Sequence, residues 1–211
     1  MENKLGKFIV FEGGEGSGKT TQARLLYESL KKEGRDVLLT KEPGGDDGVC
    51  KDIRQLLLNP KYQGLMSSHA ELLLFEADRA QHVHAVIRPA LEQGKIVISD
   101  RFEASTGAYQ CGGRGLKWPE FGRINEFAAQ ELVPDFTFWI DIDPKIGLKR
   151  NFDASKRDRF EMEDIEFHNR VRKGFDLYFD GIHPKKYQKL NGNLAIAELH
   201  AQILETAKRL I

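Results

Sequence analysis

The segment FEGGEGSGKTTQ carries the residue types of a phosphate-binding loop. Gly13 and Gly18 are separated by four residues, and Lys19 and Thr20 follow directly. This GxxxxGK[ST] pattern lies between a predicted strand and a predicted helix, which is the context that the motif requires. Glycines let backbone N–H groups face a phosphate, and the helix N-terminus adds a favourable field. The spacing therefore predicts nucleotide binding, with the lysine on the β and γ phosphates and the threonine hydroxyl on Mg²⁺.

Three other interpretations of this segment are less well supported. A dinucleotide-binding turn needs the GxGxxG spacing, which differs from the spacing here. A guanine-nucleotide switch would carry an NKxD motif, which the C-terminal half lacks. A chance Lys-Thr pair after a glycine turn does not account for the strand and helix around it. The sequence thus favours phosphoryl transfer to an acceptor, and a nucleotide switch or assembly ATPase is the alternative from another class.

The loop must be positioned by an α/β fold, because short apolar runs alternate with helical patterns. The runs are rich in Val, Ile and Phe and are apolar on both faces, as buried parallel strands are. The predicted strands are Lys7–Glu12, Asp36–Thr40, Lys95–Ser99, Phe136–Ile142 and, more weakly, Tyr187–Leu190. The predicted helices are one from the loop to Gly34, then Ser68–Gln93, Glu161–Asp180 and Leu194–Leu210. The chemistry is therefore expected at the carboxyl edge of a parallel sheet.

Two residue pairs outside the loop could bind a second substrate. Asp100 and Arg101 follow a buried strand, where a carboxylate can hold Mg²⁺ and a guanidinium can bind phosphate. Phe75 and Arg79 share one helical face, where a ring can stack on a base and a guanidinium can bind its edge. Structural alternatives stay open, namely an ion pair at a strand end, a core phenylalanine and a surface arginine.

Composition limits the classes of function. The chain has 211 residues, a formal net charge of zero and 40% apolar residues, which predicts one domain over residues 1–211, with two small domains as the alternative. Neutral overall charge argues against nucleic acid as a partner, and no apolar run is long enough for a membrane span. The two cysteines form no CxxC motif, and the N-terminus lacks the apolar run of a signal peptide. A reduced, cytoplasmic compartment is therefore expected.

Five segments, taken in order, resemble the bacterial thymidylate kinases, which are P-loop nucleoside monophosphate kinases. They are FEGGEGSGKTTQ, TKEPGG, ELLLFEADRAQHV, SDRFEASTGAYQCGGRG and DPKIGLKRNF followed by DRFE. The resemblance implies a P-loop kinase fold with a central five-stranded parallel sheet and a short mobile lid at about 148–164. It also implies a homodimer that transfers the γ-phosphoryl group of ATP to dTMP with Mg²⁺. A kinase with a related acceptor pocket, for example one that also accepts dUMP, is the nearest alternative.

The same resemblance assigns site residues. For ATP it implies Gly13, Gly14, Glu15, Gly16, Ser17, Gly18, Lys19, Thr20, Thr21, Arg150 and Arg157. For dTMP it implies Glu15, Glu42, Pro43, Phe75, Arg79, Arg101, Ser105, Thr106, Tyr109 and Gln110. For Mg²⁺ it implies Thr20 and Asp100, and for catalysis Lys19, Arg101, Arg157 and Glu15. Within the acceptor set, the resemblance implies that Tyr109 crowds the 2′ position and disfavours ribose.

Glu15 is unusual because it places a carboxylate within an anion-binding loop. The resemblance implies that this side chain faces the acceptor sugar, and the alternative is that it points into water. The loop lacks an arginine, and the resemblance to the bacterial type implies that the catalytic cation then comes from the lid, with Arg157 as the first candidate and Arg150 as the second. The sequence departs from relatives in having Phe152 and Ala154 where they often have arginine. A solvated charged turn is the alternative interpretation of this lid.

Overall fold

A five-stranded parallel sheet forms the centre of the protein. The computed structural model describes residues 5–45, 48–152, 158–182 and 184–211. The strands are β1 (Lys7–Glu12), β2 (Val37–Lys41), β3 (Ile96–Asp100), β4 (Phe136–Asp141) and β5 (Tyr187–Asn191), in the order β2-β3-β1-β4-β5. Every neighbouring pair is parallel. The predicted α/β class and all five predicted strands are confirmed, with boundaries that shift by at most one residue.

Helices cover both faces of the sheet. They are α1 (Lys19–Lys32), α2 (Gly48–Leu58), α3 (Ser68–His82), α4 (Arg88–Glu92), α5 (Glu103–Thr106), α6 (Trp118–Ala129), α7 (Pro144–Phe152), α8 (Ile165–Asp180) and α9 (Ile196–Leu210). On one face, apolar side chains of α1 and α9 pack on the central strands. On the other, Val83, Ile87 and Phe102 pack against Phe8 and Val10 of β1. Burial of strand side chains from both sides explains why the strands show no polar alternation.

The predicted long helix Ser68–Gln93 is continuous but changes its winding. A π-helical segment, Val83–Ile87, joins α3 to α4. Pro89 lies in the first turn of α4. Proline has no N–H to donate to the preceding turn, so a local change of winding beside it is expected.

Several helices were not predicted from the sequence, and two predicted boundaries were wrong. The helices α2, α6 and α7 and the turns of Glu103–Gly113 fall in segments that the sequence analysis left without structure. Helix α8 begins at Ile165 and not at Glu161, because the Asp164 side chain accepts a hydrogen bond from Phe167 N (2.7 Å) and caps the helix. Helix α9 begins at Ile196, two residues later than predicted.

The sheet brings the predicted site segments to one edge. In the register of the sheet, Asp100 lies beside Phe11 on one side and Lys41 on the other. The residues that follow β1, β2 and β3 therefore meet at the carboxyl ends of these strands. Over the described ranges, no helix has the length and apolar character needed to cross a membrane.

Candidate active site

The loop between β1 and α1 has the backbone that its glycines permit. Gly13, Gly16 and Gly18 have φ values of 147°, 63° and 96°, which other residues rarely adopt. Lys19 opens α1, is almost fully buried, and donates from Nζ to Gly14 O at 3.0 Å. Burial and the nearby Arg101 lower the pKa of this lysine. The loop thus holds its lysine folded back over the site that the sequence assigns to phosphates.

One cavity opens on the helix side of this loop and has a volume of about 530 Å³. It is lined by Glu15, Gly16, Ser17, Gly18, Lys19, Thr20, Thr21, Gln22, Arg150, Gly192, Leu194, Ala195, Ile196 and Leu199. Arg150 donates to Gly192 O at 2.8 Å, so its guanidinium lies at the rim of this cavity. Arg157, the first candidate for the catalytic cation, lies outside the described residues. The structure therefore places the second candidate, Arg150, but says nothing of the first.

Thr20 and Asp100 form the oxygen pair that the sequence assigns to a metal ion. The Thr20 hydroxyl donates a short hydrogen bond to Asp100 Oδ2 across the space between α1 and the end of β3. The other carboxylate oxygen, Asp100 Oδ1, is buried and accepts no hydrogen bond from the described residues. A buried carboxylate oxygen without a partner, next to a hydroxyl and a phosphate loop, suits Mg²⁺, which prefers hard oxygen ligands. The residues present fit this ion.

Glu15 does not point into water. Its Oε1 accepts hydrogen bonds from Arg101 Nη2 and Tyr109 OH, both at 2.6 Å. Burial alone would raise the pKa of Glu15, but the charges of Arg101 and Lys19 lower it to about 2. The carboxylate is therefore ionised at neutral pH, and its two hydrogen bonds direct it towards the segment after β3.

Arg101 is held on three sides. It has a positive φ of 76°, and its Nη1 donates to Gly13 O at 3.0 Å and to Ser105 Oγ at 2.9 Å. The third contact is the ion pair with Glu15. Burial would lower the pKa of Arg101, but the carboxylate of Glu15 raises it. A fixed guanidinium with a strained backbone beside the phosphate loop is typical of a functional residue.

A second cavity, of about 300 Å³, lies on the other side of Glu15. It brings together all ten residues that the sequence assigns to the acceptor: Glu15, Glu42, Pro43, Phe75, Arg79, Arg101, Ser105, Thr106, Tyr109 and Gln110. Lys19, Thr20 and Asp100 also line it. The Glu42–Pro43 peptide bond on its wall is cis. The two cavities therefore meet at the phosphate loop.

Arg79 is more constrained than its sequence position suggests. It is 1% exposed, and each of its guanidinium nitrogens has a partner. Nε donates to Glu42, Nη1 donates to Glu76 and Asn125, and Nη2 donates to Thr106 Oγ1 at 2.9 Å. Nη2 also lies 3.0 Å from Glu42 Oε2. A base edge that accepts a hydrogen bond from Nη2 therefore has to share this nitrogen with Thr106 and Glu42. The alternative of a surface arginine is wrong.

Arg159 does not belong with the cations that could close over ATP. Its side chain is 2% exposed, and its Nη1 pairs with the buried carboxylate of Glu71. Its Nε donates to Leu57 O at 3.0 Å, and its guanidinium lies 4.6 Å from the centre of the Phe160 ring. This arginine anchors the described end of the predicted lid segment.

Several residues at the site were missed by sequence reasoning. Phe160 lies between two predicted residues, with its ring centre 5.7 Å from those of both Phe75 and Tyr109. Glu12 is buried below the loop and accepts from Phe102 N and Ser105 N at 2.9 and 3.1 Å, and its burial raises its pKa to about 7. An acidic residue at the end of an apolar strand was the available signal for Glu12. No local sequence pattern indicated a role for Phe160.

Cys111 is buried beside the acceptor cavity in the π-helical turn Gly107–Gly113. Its burial raises the pKa of the thiol to about 12. The thiolate is the reactive form, so the raised pKa leaves this cysteine protonated and poorly reactive towards thiol reagents at neutral pH.

Comparison with known proteins gives a consistent result. A family model described as thymidylate kinase matches residues 11–203. A thymidylate kinase of Halothermothrix orenii is 44% identical over 206 residues, covering 96% of this chain and 97% of that protein. Those of Cutibacterium acnes and Acinetobacter baylyi are 45% and 42% identical, and cover 98% and 97% of this chain. The alignments cover 98% and 100% of those two proteins.

Proposed function

The chain belongs to the thymidylate kinase family, and from this premise we propose how its residues carry out the reaction of that family. It is a nucleoside monophosphate kinase that transfers a phosphoryl group from ATP to dTMP. The observation that carries the assignment of roles is the meeting of two cavities at one phosphate loop. Glu15, Lys19 and Thr20 line both of them. A donor in one and an acceptor in the other would bring their phosphates together there.

The helix-side cavity is the proposed donor site. Its floor is the glycine loop, whose backbone N–H groups and helix N-terminus suit the ATP phosphates. Lys19 would approach the β and γ phosphates once ATP displaces its hydrogen bond to Gly14 O. The position of Arg150 at the rim supports a contact between its guanidinium and the nucleotide. Arg157 stays the predicted source of the catalytic cation.

The second cavity is the proposed dTMP site. Arg101 would hold the phosphate of dTMP with Ser105 beside it, because both lie at the edge shared with the loop. Phe75 would stack on thymine, and Thr106, Gln110 and the Arg79 nitrogens would contact its edge. Glu42 and Pro43 complete the wall. Glu15 and Tyr109 would lie along the sugar, with the ring near the 2′ position.

Catalysis would rest on placement and charge neutralisation, without a covalent intermediate. Lys19 and Arg101 would hold the two phosphates on opposite sides of the transferred group, and the Glu15 carboxylate would keep Arg101 in place. Mg²⁺, held by Thr20 and Asp100, would supply charge neutralisation on the ATP phosphate oxygens. In this arrangement the residues would keep the reacting oxygens close to each other.

Three broader expectations are part of the same proposal. The chain would act as a single domain in a homodimer, and it would work in the cytoplasm. ATP and dTMP would be its partners, without nucleic acid or membrane. A switch-type ATPase would leave the cavity lined by Phe75, Arg79 and Tyr109 without a ligand, so the kinase accounts for more of the molecule.

Arg101→Ala tests the proposed phosphate site. The variant should lose kcat/KM for dTMP by about 100-fold or more, because a buried charge-assisted contact is lost. Arg24→Ala is the matched control, since Arg24 is an exposed arginine of α1 whose Nε lies 3.9 Å from Glu28 Oε1. Steady-state kinetics with varied dTMP, and thermal melting to confirm folding, provide the measurement. A folded Arg101→Ala enzyme with the kinetics of the parent would remove Arg101 from the phosphate site.

A further inference from the structure

We propose that Glu71 is a positioning residue for base selection, because it fixes the side-chain amide of Gln110 with its carbonyl oxygen free for the acceptor base. The proposal rests on the acceptor site described above and goes beyond it. Glu71 lies in α3 and lines neither of the two cavities. It would act through Gln110, which does line the acceptor cavity.

Two guanidinium groups immobilise Glu71. Its side chain is 1% exposed, and Arg114 donates to it from Nε at 3.0 Å and from Nη2 at 3.2 Å. Arg159 donates to Oε2 from the other side. Glu163, at 2.7 Å from Arg114 Nη1, is the remaining charged group of this cluster. A carboxylate that pairs with two guanidinium groups takes part in these contacts as an acceptor of hydrogen bonds.

The acceptor role of Glu71 fixes the orientation of the Gln110 amide. The two ends of a glutamine amide have nearly the same shape, so the partners decide which end lies where. Gln110 donates from Nε2 to Glu71 Oε1 at 2.7 Å. The reversed amide would place two acceptors, the amide oxygen and the carboxylate, against each other in a buried place. The carboxylate therefore holds the NH₂ end, and the oxygen is left at the other end.

The free oxygen is the part of Gln110 that needs a ligand. Gln110 is fully buried, and its Oε1 accepts no hydrogen bond from any residue that the structure describes. An unpaired buried oxygen is unfavourable, so a group that donates a hydrogen bond there gains affinity. The N3–H of thymine or uracil is such a donor, whereas N3 of cytosine is an acceptor. Glu71 would thus favour a 4-oxo pyrimidine over a 4-amino pyrimidine.

Glu71→Gln provides the direct test. A glutamine at this position can donate or accept, so the Gln110 amide can take both orientations. The ratio of kcat/KM for dTMP to that for 5-methyl-dCMP should fall by about tenfold or more, since the free-energy difference for one buried hydrogen bond is of that order. Glu163→Gln is the matched control, because it neutralises a carboxylate of the same cluster that does not contact Gln110, and it should leave the ratio within about twofold.

A merely structural role for Glu71 would give a different result. It would lower the melting temperature and the activity on both nucleotides together, while the ratio stays at the value of the parent enzyme. Glu71→Asp, which keeps an acceptor-only group, should retain more of the ratio than Glu71→Gln. A folded Glu71→Gln enzyme with the ratio of the parent would overturn the proposal.

Gln110→Glu tests the contact if Glu71→Gln does not fold, because it leaves both arginine pairs in place. A carboxyl group at position 110 would face the Glu71 carboxylate across the 2.7 Å that the amide donor now spans, so the two groups stay in place only while a proton lies between them, and they repel each other once it is lost. The kcat/KM for dTMP, divided by that of the parent enzyme, should fall as the pH rises from about 6 to 9 and the proton is lost. A relative activity that does not change with pH would show that Glu71 does not face this side chain.

The proposed function and this inference can fail separately. If the parent enzyme shows no preference for dTMP over 5-methyl-dCMP, the proposed acceptor site is wrong. If the parent shows the preference and Glu71→Gln keeps it, only the role of Glu71 is wrong.

Discussion

At the scale of single residues, the structure gives a reason for the carboxylate in the phosphate loop. Glu15 pairs with Arg101 and accepts a hydrogen bond from Tyr109. It therefore joins the loop to the residues after β3 and does not repel the phosphates from within the loop. The pKa of about 2 means that this pairing persists at all pH values at which the enzyme would be assayed.

Tyr109 offers a way to separate two contributions of one side chain. Tyr109→Phe keeps the ring but removes the hydroxyl that donates to Glu15. We expect the KM for dTMP to rise by about three- to tenfold, since a hydrogen bond to a charged group is lost. The preference for dTMP over its ribonucleotide should persist, because the ring still crowds the 2′ position.

Tyr109→Ala completes the comparison, because it removes the ring as well. Only this variant should lower the ratio of deoxy- to ribonucleotide kcat/KM. The measurement is steady-state kinetics on both nucleotides for all three enzymes. An unchanged ratio in Tyr109→Ala would show that the ring has no steric role.

At the scale of elements, α7 and the phosphate loop approach each other as closely as their glycines allow. A Cβ atom on Gly147 of α7 would lie 2.1 Å from Glu15 O, and one on Gly16 would lie 2.0 Å from Gly147 O. Both contacts are with backbone, which cannot move aside without moving the loop. The helix that leads into the predicted lid is therefore packed directly on the donor site.

Gly147→Ala tests this contact between elements. We expect a loss of unfolding free energy of about 1–3 kcal/mol and a higher KM for ATP, because the loop or the helix must shift. Gly122→Ala is the matched control, since Gly122 lies within α6 and a Cβ there would meet nothing within 4 Å. That variant should gain about 0.5–1 kcal/mol from helix propensity. Urea unfolding and ATP kinetics measure both quantities, and equal effects of the two substitutions would contradict the close approach.

The elements also show how far the sequence could predict this fold and site. The loop and Asp100-Arg101 follow apolar strands directly, so local pattern placed them at the correct edge of the sheet. Helix α2 was missed because the sequence analysis did not recognise the helical spacing of its apolar residues and left the segment as a loop. The cluster of Glu71, Arg114 and Arg159 joins segments far apart in the chain, and no local pattern reports such a contact. Arg159 lies within the predicted lid segment, and no local pattern indicated that it would be buried.

At the scale of the whole molecule, apolar side chains remain exposed on α3 and α6. Leu73 is 55% and Phe127 is 86% exposed, and the two helices pack against each other. Large apolar side chains in water on neighbouring helices are typical of a surface that another protein covers. This supports the proposed homodimer, with a second copy of the chain as the partner.

Phe127→Glu should weaken such a dimer, because a charge would be buried in its interface. We expect the sedimentation coefficient at micromolar concentration to shift from that of a dimer towards that of a monomer. Leu177→Glu is the control, since Leu177 is 61% exposed on α8, which is not one of the two helices of the proposed interface, and should leave the dimer intact. A parent protein that sediments as a monomer would contradict the proposed homodimer.

The central claim is that the two cavities meeting at the phosphate loop hold ATP and dTMP. The most direct test measures ADP formation from ATP, with and without Mg²⁺, in the presence of dTMP, dUMP, UMP, CMP, dCMP, AMP, GMP or dGMP. The account predicts Mg²⁺-dependent turnover that is strongest with dTMP and falls sharply with the 4-amino pyrimidines and the purines. Equal or greater turnover with another monophosphate, or ATP hydrolysis that no acceptor stimulates in folded protein, would contradict it.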